Sequence, residues 1–309
     1  MALLIMNLMT GEPDDWRKAI NADLPDLEIR FMPDAGDVAD IEYLAFGRPN
    51  FDEVPDLPNL KLMLTRQAGV DGFANHPRLP KVPLTKLEPV GGDPMMTEYV
   101  ITNVLRHHRQ LAAYKAQQQE KVWQPLPQVR QEDRRIGFMG YGTMAKEPAR
   151  ILQEIGFDVA AWTRTSKDGS PVKNFHGADG LEPFLNRTDI VVCLLPLTAA
   201  TDRILNAETL AMLPEGAMVI SLGRGDHVVQ EDLVAALDSG HLAGATLDVT
   251  SPEPLPEDSP LWDHPKINIM PHIARRPPVS QLAPAITANI KLFEAGEPLP
   301  QLVDLEAGY

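Results

Sequence analysis

Residues 134–145, RRIGFMGYGTMA, constrain this chain more than any other stretch. A short apolar run, 136–139, leads into Gly140, Gly142 and Ala145 at G-x-G-x-x-A spacing. Such a turn carries a strand directly into a helix whose first backbone N–H groups lack intrahelical acceptors. An anion can rest there, on the positive end of the helix dipole. Gly140 permits the tight turn, Gly142 removes a side chain that would fend off a pyrophosphate, and Ala145 lets helix and strand pack closely. An apolar helix pattern follows at Ile151, Leu152 and Ile155, and Gly156 stands where a C-terminal cap belongs. The reading is a dinucleotide site, with an ordinary strand-to-helix turn as the plainer alternative.

The surrounding pattern supports a doubly wound sheet. Strand candidates recur at 136–139, 158–162, 190–195, 218–222, 245–249 and 267–270, most of them separated by helical stretches such as 230–239 with Gly240 as its cap. Near-continuous apolar strands alternating with helices indicate a parallel sheet buried on both faces. Pro148 falls in the second turn of the dinucleotide helix and predicts a kink or a late start there. Before this region, β-type runs at 2–8, 28–32, 43–47, 60–66 and 83–87 form a small open α/β unit. Its first helix, started by Asp14 and Asp15, turns Trp16 and Ile20 inward. From Thr97 a helical pattern runs for more than twenty residues, long enough to cross between domains or pack against a second subunit. His107 and His108 within it diverge by about 100 degrees, so they make a poor metal pair and read as solvated; no metal site is expected. The segment 281–295 reads as a helix returning to the first domain.

A chain of 309 residues has room for two domains with a substantial core. The formal charge of -15 argues against nucleic acid or an anionic membrane as the main partner. Any anionic substrate must therefore be held by a local cluster of positive side chains. The lone Cys193 lies in an apolar run, so there is no disulfide framework and a reducing compartment, the cytoplasm, is expected. The start, MALLIMNLMTGEPDD, lacks a basic n-region and a cleavage site and reads as a first strand. No apolar run approaches the roughly 18 residues of a membrane span.

Strand two of a dinucleotide unit usually ends in an acid that accepts from the adenosine ribose. Here that place holds Trp162-Thr163-Arg164-Thr165-Ser166-Lys167, with no acid. Arg164 can stack and fork onto a phosphate while Thr165, Ser166 and Lys167 add donors, which favours NADP(H), with NAD(H) the lesser alternative. Four further residues stand after later strands, where such sheets place ligands: Arg224 in SLGRGDHVV, Asp248 in GATLDVTS, Glu253 in PEPLP and His272 in MPHIA. Singly, each has a dull reading as a surface pair, a loop charge or a core histidine. Together they supply what carbonyl reduction of a 2-oxo acid needs. That is a fixed guanidinium for the carboxylate and carbonyl oxygen, an imidazolium to deliver a proton, and a carboxylate to orient it and raise its proton affinity. In the first domain, backbone amides of the loop Gln67-Ala68-Gly69-Val70-Asp71-Gly72 could hold a carboxylate, with a plain connecting loop the equal alternative.

These motifs, taken with EYV (98–100), WQPLP (123–127), AALDSG (235–240), EPLP (253–256) and SPLW (259–262), resemble the D-isomer-specific 2-hydroxyacid dehydrogenase family. The likeness covers nearly the whole chain and is nearest to members that reduce glyoxylate and hydroxypyruvate. It implies an α/β fold of two domains, a Rossmann-type doubly wound parallel sheet for the cofactor and a smaller flavodoxin-like substrate domain. The expected division is 1–97 substrate domain, 98–277 dinucleotide-binding domain and 278–309 returning helix. It implies that Arg224 grips the substrate, His272 is the general acid, Glu253 pairs with the far imidazole nitrogen and Asp248 faces the nicotinamide. Tyr141, Thr143 and Met144 at the glycine turn, Leu195 and Pro196, and Leu222 and Gly223 complete the expected cofactor set. Ala68, Gly69 and Val70, with Phe46 and Arg48, are expected on the substrate. The partner is then a small 2-oxo or 2-hydroxy acid, and the assembly a homodimer with the long helix and WQPLP loop at its interface. Formate oxidation fits less well, because formate dehydrogenases carry Gln where Glu253 stands. A bulkier 2-oxo acid, or a non-catalytic dinucleotide-responsive binding protein, are the rivals. Departures from the family pattern are Gln67 after Arg66 in place of Gly, expected to make the pocket tighter or more polar, Gly223 in place of Ala, expected to loosen the backbone before Arg224, and Arg275-Arg276 after the histidine, expected to be solvated, with assistance in anion binding the alternative.

Overall fold

Every pairing between named strands of this chain is parallel. The computed structural model describes residues 1–8, 10–47, 49–70, 72–87, 93–167 and 169–305. Its strands are β1 (Ala2–Met6), β2 (Glu28–Phe31), β3 (Ile41–Phe46), β4 (Leu62–Thr65), β5 (Leu84–Lys86), β6 (Arg135–Met139), β7 (Asp158–Thr163), β8 (Lys173–His176), β9 (Ile190–Cys193), β10 (Ala217–Ser221), β11 (Leu242–Leu247) and β12 (Ile267–Ile269). The helices are α1 (Pro13–Asn21), α2 (Pro94–His108), α3 (Leu111–Glu120), α4 (Thr143–Ile155), α5 (Leu181–Asn186), α6 (Ala207–Ala211), α7 (Gln230–Asp238) and α8 (Val279–Glu294). They divide into two units, Met1–Val90 with Arg276–Tyr309, and Gly91–Arg275.

The smaller unit is a five-stranded sheet in the order β2-β1-β3-β4-β5, the flavodoxin-like arrangement. α1 carries Asp14 and Asp15 in its first turn, where the helix dipole favours acids, and buries Trp16 and Ile20. Leu282, Ile286 and Ile290 of α8 join the same core as Leu3, Trp16, Ile20 and Leu62, so the end of the chain completes the unit that its start begins.

The larger unit is a seven-stranded sheet in the order β12-β11-β10-β9-β6-β7-β8. The chain enters next to the central strand with β6, walks outward through β7 and β8, then returns beside β6 as β9 and proceeds to β12. Its direction reverses between β6 and β9, which is where doubly wound sheets leave a crevice. Alternate strand residues feed two cores. Ile136, Phe138, Ile190 and Val192 pack with Val100 and Val104 of α2 and with Ala149 and Leu152 of α4. Met139, Val191, Val219 and Ala245 pack with Phe184, Leu210, Leu233 and Leu237 on the opposite face. Each large side chain buried in this way contributes about 1.5–3 kcal/mol, and truncating Phe138 to Ala would cost about 3–5 kcal/mol. The expected α/β architecture is thus the one observed.

Several local expectations change. The long helix expected from Thr97 starts at Pro94, because the Asp93 carboxylate accepts from the Met95 and Met96 amides at 2.9 and 3.3 Å and proline suits the first helical position. It also breaks at Gln110, which adopts φ +56°, and resumes as α3 with no buried residue. α4 does not start late; it runs from Thr143 with Pro148 inside it. His107 and His108 are buried rather than solvated. His107 Nε2 lies 2.9 Å from Thr246 Oγ1, and His108 packs edge-on against Phe157. Burial, helped by Arg106, pushes the His107 imidazole down to about 4, and burial lowers His108 as well. Among the described residues, no helix is long and apolar enough to cross a membrane.

Candidate functional site

Gly140 closes β6 with φ +93°, and a Cβ there would stand 3.0 Å from the Leu194 carbonyl oxygen across the point where the sheet reverses. Glycine is required both by that backbone region and by that close approach. Gly142 caps α4, and a Cβ built on it meets nothing within 4 Å, so the space above it is open. The amides of Ala145 and Lys146 turn back to Gly142 O, at 3.1 and 3.3 Å. Those of Tyr141, Gly142, Thr143 and Met144 donate to no acceptor among the described residues. Amides without an acceptor at a helix start, beside the open space at Gly142, are the kind of group a phosphate can accept from. Tyr141 and Ala145 are themselves buried.

Beside this glycine turn, β7 ends in Thr163, whose hydroxyl donates to Thr165 O at 2.8 Å and so folds the following turn. Arg164, Thr165, Ser166 and Lys167 are exposed on that turn, and residues 163–167 contain no carboxylate. On the other side of the reversal, Leu195 is buried and the Pro196 carbonyl accepts from the Thr201 hydroxyl at 2.6 Å.

Register places the remaining candidates side by side. Ser221 pairs with Leu247, and Leu247 with Ile269, at the C-terminal ends of β10, β11 and β12. Arg224 and His272 each stand three residues beyond this line and Asp248 one residue beyond it. The two flanking strands are separated by roughly 10 Å, two strand spacings. Arg224 is half-buried, and its Nη1 donates to Gly223 O at 3.1 Å. Gly225 packs so tightly on the next loop that a Cβ would lie 2.0 Å from the Thr250 carbonyl carbon. That loop delivers Glu253, whose Oε2 and Oε1 lie 2.9 and 3.1 Å from His272 Nδ1. Both side chains keep some exposure, 35% for His272 and 24% for Glu253.

His272 adopts φ +54°, a left-handed conformation that costs a residue with a side chain roughly 1–2 kcal/mol. Asp248 holds it there. The His272 amide donates to Asp248 O at 2.9 Å, and the Asp248 carboxylate accepts from Ile273 at 2.9 Å and from Ala274 at 3.0 Å. Asp248 is only 1% exposed, so its carboxylate is committed first to the turn that presents the histidine. The Tyr99 hydroxyl of α2 is buried within electrostatic reach of this carboxylate; burial first, and Asp248 next, push its phenol above the usual range.

Two expectations about neighbouring residues are overturned. Arg275 is not solvated, because its Nε donates at 2.6 Å to Asp93 in an ion pair with side chains 8% and 0% exposed; Arg276 is exposed. Gly223 does not loosen the backbone. A Cβ there would lie 2.8 Å from Cε1 and Nδ1 of His227 and from the Leu195 carbonyl, so the missing side chain is replaced by an imidazole ring. His227 carries no local signal of this role in sequence beyond the HVV run that marks its position. Leu222, also expected at the cofactor, is buried.

In the smaller unit, Phe46 departs from expectation. Its ring is wholly buried and meets Phe51 and Phe73 edge-on at 5.5 and 5.4 Å, so it builds the core instead of lining a surface. Arg48 and Asp71 lie outside the described residues. Ala68 is exposed, Gly69 half-buried and Val70 buried, in a loop whose entry is fixed by the Gln67 amide donating to Thr65 Oγ1 at 3.1 Å. No group of three or more metal-ligating side chains occurs among the described residues.

Known proteins match this arrangement closely. Residues 101–274 match the family model described as D-isomer specific 2-hydroxyacid dehydrogenase, NAD binding domain. Glyoxylate/hydroxypyruvate reductase A of Salmonella newport is 38% identical over 300 residues, covering 95% of this chain and 96% of that protein. A D-isomer specific 2-hydroxyacid dehydrogenase from Xanthobacter autotrophicus, solved with NADPH and MES, superposes with a TM-score of 0.91 at 38% identity, covering 99% of each chain. An NADPH-dependent glyoxylate/hydroxypyruvate reductase from Sinorhizobium meliloti, solved with NADP and sulfate, gives a TM-score of 0.91 at 34% identity over the full length of both.

Proposed function

Because the chain belongs to the D-isomer-specific 2-hydroxyacid dehydrogenase family, we propose that it reduces small 2-oxo acids, glyoxylate and hydroxypyruvate foremost, with NADPH as the hydride donor. The observation that carries this reading is the Glu253–His272 pair on a strained turn, beside Arg224 and on the same sheet edge as the open glycine turn.

NADP(H) fits the residues present. The amides of Tyr141, Gly142, Thr143 and Met144 suit a pyrophosphate, and Leu195, Pro196, Leu222 and Gly223 border the same edge. Arg164, with Thr165, Ser166 and Lys167, suits the additional phosphate that distinguishes NADP(H) from NAD(H). Relatives solved with NADPH or NADP support the same choice. When bound, the reduced nicotinamide supplies the hydride. The protein's part is to bind, orient and protonate.

Arg224 holds the substrate carboxylate and polarises the carbonyl with its fixed fork of donors. Glu253 accepts from Nδ1–H of His272, which leaves Nε2 to exchange the proton with the substrate oxygen. In reduction His272 acts as general acid, in oxidation as base. Asp248 acts on both sides, fixing the turn that carries His272 while standing where the nicotinamide is expected. Backbone around Ala68, Gly69 and Val70 is assigned to the substrate carboxylate; Phe46 is withdrawn from that set because it is core. Arg66 and Gln67 at the head of this loop would make the pocket tighter or more polar, which favours a second reading, a small but more polar 2-oxo acid.

Trp123, fully exposed, with Leu111 and Val122 also exposed, supports a homodimer through α3 and the following loop. The single buried thiol, Cys193, pushed up to about 11 by burial, supports a cytoplasmic location. A panel of 2-oxo acids, followed by loss of reduced-nicotinamide absorbance with NADPH and NADH in parallel, tests the activity. Glyoxylate and hydroxypyruvate with NADPH should give the highest kcat/KM. No oxidation with any acid would sink the reading.

A further inference from the structure

One buried histidine has no part in the chemistry assigned so far. His227 ends a short 3-10 turn, Gly225–His227, and is wholly buried. Its Nδ1 accepts the Arg224 amide at 2.9 Å, while its own amide donates to Arg224 O at 3.2 Å. Its Nε2 faces the Pro196 carbonyl at 3.3 Å. An amide donor at one nitrogen and a carbonyl at the other leave a single arrangement that satisfies both. The proton sits on Nε2 and the ring is neutral. A second proton on Nδ1 would oppose the Arg224 N–H. Burial works in the same direction and lowers the imidazole pKa; the charged groups nearest the ring, Arg224 and Asp226, have opposite effects.

The backbone around Arg224 looks loose in sequence, since glycines flank it on both sides. The structure removes that freedom. The His227 ring fills the place of a Gly223 side chain at 2.8 Å, and the Thr250 backbone fills that of Gly225. Each glycine is there to admit a neighbour that then wedges the chain.

We propose that His227 is the positioning residue for Arg224: its neutral ring fixes the Arg224 backbone in both directions and ties it to Pro196. Gly223 and His227 are one device, a ring in place of a methyl group. The proposal rests on Arg224 being the group that holds the substrate.

The test is a kinetic double-mutant cycle on the full-length enzyme with glyoxylate and NADPH. It uses Arg224→Lys, His227→Val, His227→Asn and the Arg224→Lys/His227→Val pair. His227→Val should raise KM for glyoxylate about tenfold or more, while the NADPH dissociation constant stays within about threefold. His227→Asn, whose Oδ1 can accept the Arg224 amide, should recover most of the loss. In the Arg224→Lys background, His227→Val should cost less than about twofold, because the group it positions is already displaced. Additive effects, or a fall in thermal stability with KM unchanged, would overturn the assignment. If His227→Val does not fold, His227→Gln takes its place. Its longer amide reaches towards Pro196 without a δ acceptor, so it should raise KM where His227→Asn does not, and equal KM values would contradict the proposal. If Arg224→Lys alone leaves KM unmoved, the substrate role of Arg224 falls, and this inference with it. If Arg224→Lys raises KM but the two effects add, only the role of His227 is lost.

Discussion

In the larger unit the sheet reverses direction between β6 and β9, and in the smaller one between β1 and β3. A glycine stands at each reversal. A Cβ on Gly140 would lie 3.0 Å from the Leu194 carbonyl oxygen, and two residues on Gly142 opens onto empty space with unpaired amides around it. Gly47 differs from Gly142: a Cβ there would lie 1.9 Å from the Asn7 carbonyl oxygen, so backbone at β1's exit occupies the place of a side chain. The same topology therefore leaves open space at Gly142 and close backbone packing at Gly47. Topology alone does not make a site; what the glycines admit decides it.

The predictions attack that contrast at different strengths. The largest effect belongs to the edge that the open glycine turn shares with the polar groups. Arg224→Ala should lower kcat/KM for glyoxylate about a thousandfold in steady-state assays, since a charge-assisted grip on substrate and developing oxyanion disappears. The two reversals can then be compared directly. Gly142→Val should weaken NADPH binding about a hundredfold in a fluorescence titration with the melting temperature unchanged, because its side chain occupies only the open space. Gly47→Ala should do the opposite, costing about 1–3 kcal/mol of stability in urea unfolding and leaving NADPH affinity alone. If both glycine variants lose cofactor and neither loses stability, the contrast drawn here is wrong. Next in size, Arg164→Ala should weaken NADPH roughly ten- to a hundredfold while NADH affinity hardly moves, read by the same titration.

The smallest effect concerns acid. His107 is neutral in the folded larger unit because burial lowers its pKa from 6.5 to about 4. Above 6.5 neither state binds the proton and the full stability is present. As pH falls from 6.5 towards 4, the unfolded chain takes up the proton and the folded one does not. Stability then falls by at most about 1.4 kcal/mol per pH unit. Hydrogen exchange should accordingly rise first around α2 and β11, where His107 meets Thr246, and His107→Gln should flatten the slope.

Much of the larger unit is legible in the sequence because its signals are local. A strand, two glycines and the start of a helix lie within a dozen residues, and the basic turn of 164–167 declares itself by the acid it lacks. The central apolar strands follow from periodicity, whereas β8, the short edge strand KNFH, carries no such pattern and escapes notice. Asp93-Pro94 is a readable helix start, but the apolar pattern of α2 begins only later and hides it. What depends on partners far along the chain does not show. Arg275 looks like a solvated charge until Asp93, 182 residues away, is found against it. His107 looks solvated until Thr246 is beside it, and Phe46 reads as a lining residue until Phe51 and Phe73 close around it. Gly223 reads as slack because its meaning resides in the ring of His227. Side chains whose roles are set by a neighbour brought close only in three dimensions are the ones that one-dimensional patterns miss.

The most direct measurement is a single-turnover experiment on His272→Asn, mixing NADPH-loaded enzyme with glyoxylate and following nicotinamide absorbance. The proton donor assigned to the Glu253-held imidazole predicts unchanged NADPH affinity and oxidation at least about a hundredfold slower than in the unaltered protein. Oxidation at the unaltered rate would contradict it, and would leave the Glu253–His272 pair a structural feature of the sheet edge with no part in the chemistry.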